Sequence, residues 1–164
     1  MEEGRVLGSG WNPPQEVVDR TEWHWWHVPV GGSLLLCCLS QQPVWYVGHY
    51  HGNRMRPCRG AGCELCGLGV GRQLRYVVCA AEVTTRRVGV LELGTGPGYL
   101  LRDRALGNGG LRGTVFEVAR SGRSKHCRLE IRFVDQHAGA GLLALEPLDL
   151  EEVIEGTWRR QRVS

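Results

Sequence analysis

Apolar and polar residues alternate along several stretches of this chain with the period of two that is typical of β-strands. The clearest case is a pair of stretches, 111–120 and 126–134, which are joined by a basic loop and predict a β-hairpin. Strand character marks four further stretches: 28–39, 44–50, 74–83 and 87–93. The pattern therefore predicts five or six short strands.

Two glycine-rich segments interrupt the strand pattern. Residues 52–71 have no hydrophobic period and contain six glycines, and residues 107–110 form a second break. Near the end of the chain Leu150, Val153, Ile154 and Trp158 fall at helical spacing, which predicts a short amphipathic helix. Residues 1–22 show no sustained period and are expected to form an extended arm.

Short strands, glycine-rich connections and the lack of a predicted long central helix favour an all-β fold. We expect a small Greek-key barrel of the OB type over residues 23–145, with a zinc-binding loop at 51–66. The N-terminal arm would occupy 1–22, and the C-terminal helix and tail 146–164. A chain of 164 residues is long enough for one ordinary domain and excludes a large multi-domain enzyme.

The composition is that of a globular protein, with 42% hydrophobic and 23% charged residues. The longest apolar run, 28–39, is shorter than the ~20 residues needed to span a bilayer. The N-terminus also lacks the basic start of a secretory signal. We therefore expect a cytoplasmic protein with no membrane association.

Four potential metal ligands lie within sixteen residues, in the arrangement His-x6-Cys-x4-Cys-x2-Cys. Three thiolates and one imidazole satisfy tetrahedral zinc, and the Cys-x2-Cys pair closes a tight turn with both sulfurs facing one ion. The predicted ligands of a structural zinc are His51, Cys58, Cys63 and Cys66.

Two histidines are candidates for the fourth ligand position. His49 lies two residues before His51 and would point to the same face of a strand, so it is the rival fourth ligand. The other four cysteines sit inside strand patterns and are expected to be small buried hydrophobic residues: Cys37, Cys38, Cys79 and Cys127.

The net charge of +3 conceals an uneven distribution. Residues 1–51 and 133–164 each carry −3, whereas residues 52–132 carry fifteen basic residues against six acidic ones and reach +9. A basic segment of this size favours an anionic partner. The basic and acidic groups are thus separated along the chain, and the predicted zinc site lies in the basic part.

Aromatic residues accompany the arginines around the predicted zinc site. Cations that follow the phosphates, together with rings on which bases stack, are what a sequence-tolerant single-strand binding protein needs. The predicted nucleic-acid contacts are Trp45, Tyr46, Tyr50, Arg54, Arg56, Arg59, Arg72, Arg75, Arg120, Arg123, Lys125, Arg128 and Arg132.

One glycine motif points elsewhere. The segment 88–99 resembles the first motif of the S-adenosylmethionine-dependent methyltransferases, with Gly94, Gly96 and Gly98 as its glycines and Glu117 near the position of the ribose-binding acid. Only forty-seven residues follow Glu117, too few for the missing β-α units of a doubly wound sheet. We therefore interpret the glycines as a turn between two strands.

The zinc-ligand spacing, the strand that follows it and the basic hairpin together resemble the zinc-containing OB-fold single-stranded DNA-binding proteins of phages and mobile elements. The resemblance covers about residues 28–135. It implies zinc on the four predicted ligands and a DNA cleft of aromatic and basic residues beside them. It also implies a part in DNA replication.

The sequence thus leads to one preferred function and two alternatives. The preferred one is a non-enzymatic protein that binds single-stranded DNA, with RNA as a possible ligand, and that holds one structural zinc. The first alternative is a small methyltransferase-like or nucleotide-binding enzyme. The second is a zinc-stabilised protein-interaction module, with the C-terminal helix as a possible site for protein partners.

Overall fold

A computed structural model of the chain describes residues 23–122 and 128–163. Within these ranges seven strands form one sheet: β1 Ser33–Cys38, β2 Val44–His51, β3 Arg54–Pro57, β4 Gln73–Glu82, β5 Val88–Leu93, β6 Val115–Arg120 and β7 Leu129–Phe133. Three helices accompany them: α1 Glu64–Gly67, α2 Thr95–Asn108 and α3 Leu150–Val163. The N-terminal arm 1–22 predicted above, together with Arg123, Lys125 and Cys127, lies outside the described residues.

β4 lies in the middle of the sheet, and every pairing between the named strands is antiparallel. β5 pairs with one edge of β4, while β1 and β2 pair one after the other with its opposite edge. Cys38 of β1 pairs with Ala80 of β4, and Val44 of β2 pairs with Val77 of β4. Between these two pairs the chain moves six residues along β1 and β2 but only three along β4. β1 and β2 therefore act as one long strand with a bulge, flanked on its outer side by β6 and β3.

Both faces of this central strand are covered. The five residues from Val77 to Ala81 are fully buried, and their side chains alternate between two separate cores. Val78 and Ala80 belong to the α2-side core, which also contains Leu101 of helix α2. Val77, Cys79 and Ala81 belong to the α3-side core, which contains Leu150, Val153 and Ile154 of helix α3. A continuous apolar run is the pattern expected of a strand buried on both faces.

The structure corrects the interpretation of Gly94–Gly98 as a turn between strands. A fourteen-residue helix, α2, begins at Thr95 instead. Pro97 is compatible with this helix because it lies in the first turn. Backbone N–H groups there have no acceptor within the helix, so the N–H that proline lacks is not missed. Ordinary helix formers follow, and the helix ends at Gly109, whose φ of 73° provides a left-handed cap. The fold is rich in sheet, as predicted, but the expected absence of a central helix was wrong.

The C-terminal helix predicted within 146–164 is confirmed as α3. Its apolar residues pack against the sheet, so it is part of the fold. The strand order of the described residues is β3-β2-β4-β1-β6-β7 with β5 on β4, and no pairing among them closes the sheet into a barrel. No helix in the described part of the chain is long and apolar enough to cross a membrane.

Candidate metal centre

Four side chains converge on one point where β2 meets the loop after β3. The ligand atoms of His49, Cys58, Cys63 and Cys66 all lie within 4.8 Å of one another. The Sγ atoms of Cys58 and Cys66 are 3.6 Å apart, and His49 Nε2 lies 3.6 Å from Cys63 Sγ and 3.5 Å from Cys66 Sγ. Metal–sulfur bonds of ~2.3 Å in a tetrahedron would place the sulfurs about 3.8 Å apart. The donor set and its spacing therefore fit a tetrahedral metal ion.

The loop that carries the cysteines, residues 58–72, is called the metal loop below. It starts beside β2, since the Cys58 N–H donates to the carbonyl of Val47 at 2.8 Å. Gly60 and Gly62 have φ values of 74° and 80°, a left-handed conformation that residues with a Cβ adopt only with strain. These two glycines turn the chain so that Cys63 and Cys66 lie at the two ends of one helical turn, on the same side.

Backbone carbonyls of the metal loop orient the histidine. His49 is fully buried, and its Nδ1 lies 2.9 Å from the carbonyl oxygen of Val70 and 3.1 Å from that of Gly71. A carbonyl can only accept, so Nδ1 carries the proton and donates. This leaves the Nε2 lone pair facing the sulfurs, the arrangement found for histidines that bind metals.

The fourth ligand predicted from the sequence is thereby corrected from His51 to its rival His49. His51 is exposed at the end of β2, where it pairs with Arg54. The two histidines are two residues apart and share one face of the strand, so the alternation of side chains cannot show which of them is the ligand. Only the return of the chain at Val70 and Gly71, which places carbonyls against His49, distinguishes them.

Hydrogen bonds at Cys58 and Cys63 favour thiolates, the form that binds metals. The pKa of Cys66 is raised, because the lowering by the Arg72 hydrogen bond is outweighed by desolvation and by hydrogen bonds to the other two cysteines. Backbone groups of Arg59, Cys66 and Leu65 hydrogen-bond to Cys63 and lower the pKa of its thiol to about 6. The pKa of Cys58 is also lowered, first by a backbone hydrogen bond at Gly60 and then by His49. These interactions prepare the site for a cation.

Arg72 is a second partner of the cluster that the sequence did not reveal. Its Nε and Nη2 atoms each donate to Cys66 Sγ at 3.3 Å. The sequence placed Arg72 among the nucleic-acid contacts because it is a basic residue beside the predicted site. In the structure its guanidinium lies against the Cys66 sulfur, where it would balance the negative charge of a thiolate.

The six cysteines in the described residues are free thiols. Cys37, Cys38 and Cys79 are fully buried in the two cores, as predicted. Burial raises the pKa of Cys38 to about 12, so this thiol is neutral. The cysteines thus divide into buried apolar residues and a separate ligand cluster.

The predicted nucleic-acid contacts divide by exposure. Seven of them are exposed: Trp45, Tyr50, Arg54, Arg59, Arg72, Arg128 and Arg132. Arg56 and Arg120 are half-buried. Arg75 forms an ion pair with Glu92 at 2.9 Å, and Arg132 forms one with Glu117. The charges of Arg75 and Arg132 are therefore balanced within the fold.

The prediction that Tyr46 stacks on bases was wrong. Only 9% of it is exposed, its hydroxyl donates to Glu92 at 2.6 Å, and its ring contacts Trp158 edge-on at 5.2 Å. Desolvation, followed by the charge of Glu92, raises the pKa of its hydroxyl, which keeps it protonated as a donor. Tyr46 joins the sheet to helix α3.

Other aromatic side chains lie next to Trp45 in a row that the sequence did not indicate. Trp45 is 64% exposed and pairs with Tyr76 across β2 and β4, so the two side chains share one face. Tyr76 contacts the ring of Tyr99 at 6.1 Å, and the guanidinium of Arg102 lies 4.5 Å from the Tyr99 centroid. Trp45, Tyr76, Tyr99 and Arg102 are called the stacking surface below.

The motif resembling that of methyltransferases has the expected order of strand, turn and helix, in β5 and α2. Its surroundings differ, because β5 pairs antiparallel with β4, whereas the motif belongs to a doubly wound parallel sheet. Glu117 on β6 accepts a hydrogen bond from Arg132 on the neighbouring strand β7. The geometry therefore does not favour this alternative.

These contacts point to a metal centre beside an exposed aromatic and basic surface. Comparison with protein-family models, with curated proteins and with solved structures found no match for this chain.

Proposed function

We propose that this protein is a non-enzymatic single-stranded DNA-binding protein whose fold is completed by one structural zinc ion. Cys58, Cys63, Cys66 and His49 would hold the ion. Three sulfurs and one imidazole nitrogen are a donor set that suits zinc, and four protein ligands leave no open position for substrate. The ion would supply folding energy and not Lewis-acid chemistry.

The observation that carries the proposal is the stacking surface. Trp45 is 64% exposed and lies across from Tyr76 on the same face of the sheet. Tyr76 contacts Tyr99, and Arg102 lies over the Tyr99 ring, so these aromatic residues form a continuous patch of the kind that marks binding sites. Gly98 of helix α2 approaches the Tyr76 ring so closely that a Cβ would not fit, which holds that ring in place. Rings fixed in this way are suited to stacked bases.

Arginines that form no ion pair within the described part of the chain lie at the other end of β2 from the stacking surface. Arg54 and Arg59 are exposed, and none of the ion pairs in the described residues involves them. They lie on β3 and in the metal loop, at the far end of β2 from Trp45. Phosphates that follow β2 would therefore find cations at one end and aromatic rings at the other.

Zinc would make this arrangement possible, because helix α1 of the metal loop buries no residue. The ion would fix Arg59 and Arg72 relative to β2 and β3. The OB-like barrel, the role in replication and the cytoplasmic location remain expectations from the sequence. A protein partner of α3 would have to meet its polar side, since its apolar side chains pack on the sheet.

The test is a titration of a labelled oligothymidylate with the zinc-loaded full chain, followed by fluorescence anisotropy. Binding should weaken steeply as salt rises. Trp45→Ala should weaken it about 5- to 100-fold, because one stacked base contributes ~1–3 kcal/mol. An oligouridylate competitor measures the preference for DNA over RNA.

Leu106→Ala is the matched control. Leu106 is 79% exposed on α2 and lies outside the stacking surface, so its removal should leave the affinity unchanged. No binding at low salt, or equal affinities for Trp45→Ala and the unsubstituted protein, would contradict the proposal.

A further inference from the structure

A cleft of about 410 Å³ opens between the metal loop and helix α3, beside the edge strand β3. Ligand pockets for small molecules begin at roughly 300 Å³. The cleft shares no residue with the stacking surface. It is lined by His51, Arg56, Pro57, Arg59, Gly62, Cys63, Glu64, Leu65, Leu68 and Trp158.

The charged part of the cleft favours an anion. Arg56 and Arg59 both line it, whereas the lining groups that can carry a negative charge are Glu64 and the Cys63 thiol of the ligand cluster. Neither arginine takes part in an ion pair with the described residues. The Nε atom of Arg56 is buried and has no hydrogen-bond partner in the same part of the chain. A guanidinium whose Nε–H is buried without an acceptor can donate to a phosphate oxygen.

The lining also includes large apolar side chains, which a site for a bare anion would not need. Leu65 and Leu68 contribute from the metal loop, and Leu68 is 66% exposed although it is a large hydrophobic residue. Trp158 contributes from α3, where an edge-on contact with Tyr46 fixes its ring. Two cations, an indole and two leucines in one cleft match a ligand that is part phosphate and part ring.

We propose that this cleft binds one nucleotide of the single strand. Arg56 and Arg59 contact its phosphate, and Trp158, Leu65 and Leu68 contact its base. The assignment rests on the proposed function for the identity of the polymer, but the cleft is a separate site from the stacking surface.

The strand β2 sets the distance between the two sites. Trp45 and His51 are six residues apart on β2, which corresponds to about 20 Å at ~3.3 Å per residue. A strand of stacked bases covers that length with roughly six nucleotides at ~3.4 Å each. An oligonucleotide of ten nucleotides therefore reaches both sites, whereas one of three nucleotides reaches only one.

The experiment is an NMR titration of the ¹⁵N-labelled, zinc-loaded full chain with thymidine 5′-monophosphate. The indole N–H signal of Trp158, identified by its loss in Trp158→Phe, should shift. The double variant Arg56→Gln/Arg59→Gln should raise the Kd at least tenfold. Thymidine and inorganic phosphate should each bind at least tenfold more weakly than the monophosphate.

Arg87→Gln/Arg104→Gln is the charge-matched control, because both arginines are exposed and neither lines the cleft; its Kd should be unchanged. If the double variant fails to fold, Arg59→Gln alone serves, since this side chain is exposed. Inorganic phosphate binding as tightly as the monophosphate would overturn the assignment of a base site.

The two proposals fail in different ways. If a decathymidylate binds but the monophosphate shifts no signal of Trp158, the cleft assignment is wrong and the proposed function stands. If the monophosphate binds and the decathymidylate does not, the cleft is a mononucleotide site and single-strand binding is wrong. If neither ligand binds, both are wrong.

Discussion

The centre of the sheet and the metal loop are ordered by different physical means. In β4, five consecutive residues have no exposed surface and pack into cores on both faces. In the metal loop, helix α1 buries no residue and Leu68 is 66% exposed. Fixing the backbone costs ~1–2 kcal/mol per residue in either region. Apolar burial offsets that cost in the centre, and only the converging donor atoms can offset it in the loop.

The two regions meet at β2. Tyr46 faces the α3-side core, while His49, three residues later on the same strand, reaches the cysteines. The difference teaches that one strand can anchor a hydrophobic core at one end and a metal centre at the other. Variants that affect one region and spare the other measure how independent they are.

The largest effect is expected from His49→Ala. Removal of one of four ligands should reduce the metal content from about one ion per chain to near zero, measured by elemental analysis of the purified protein. Amide exchange should accelerate throughout the metal loop and β3 and remain slow at Val77–Ala81. His51→Ala is the matched control and should keep its metal. Retention of metal by His49→Ala, or its loss from His51→Ala, would show that the ligand assignment is wrong.

A smaller effect, confined to the centre, is expected from Phe116→Ala. Phe116 is fully buried in the α2-side core, and its truncation should lower the free energy of unfolding by about 3–5 kcal/mol, measured by urea denaturation. The folded variant should still bind about one metal ion. Leu106→Ala, at an exposed position, should change stability by less than ~0.5 kcal/mol. A folded Phe116→Ala protein without metal would mean that the two regions are coupled.

The smallest effect is expected from Arg72→Gln, which removes the two N–H···S hydrogen bonds to Cys66. Loss of such an outer partner typically weakens metal binding about tenfold or more. Competition with a chromophoric chelator would measure the change, with Arg87→Gln as the charge-matched control. Equal metal affinities in the two variants would show that Arg72 does not contribute to metal binding.

Much of the sheet was predictable because its strands have a buried face. Six of the seven strands overlap stretches that were predicted to be strands, and β2 and β4 each extend one residue beyond them. The missed strand, β3, has the sequence Arg-Met-Arg-Pro at the edge of the sheet, where only Met55 packs on a core. Helix α2 was missed because its first turn contains two glycines and a proline, residues that more often mark a turn.

By itself, the sequence predicted that the three cysteines lie together and that the fold is rich in strands. Both are local: a Cys-x2-Cys pair brings two sulfurs together within one turn, and alternation follows from the geometry of a single strand. Only the tertiary structure decided between His49 and His51, because the carbonyls that orient the ligand come from residues 70 and 71. It also decided that Trp45 is exposed and Tyr46 is buried. Neighbouring residues of a strand point to opposite faces, and helix α3 covers the one that Tyr46 occupies.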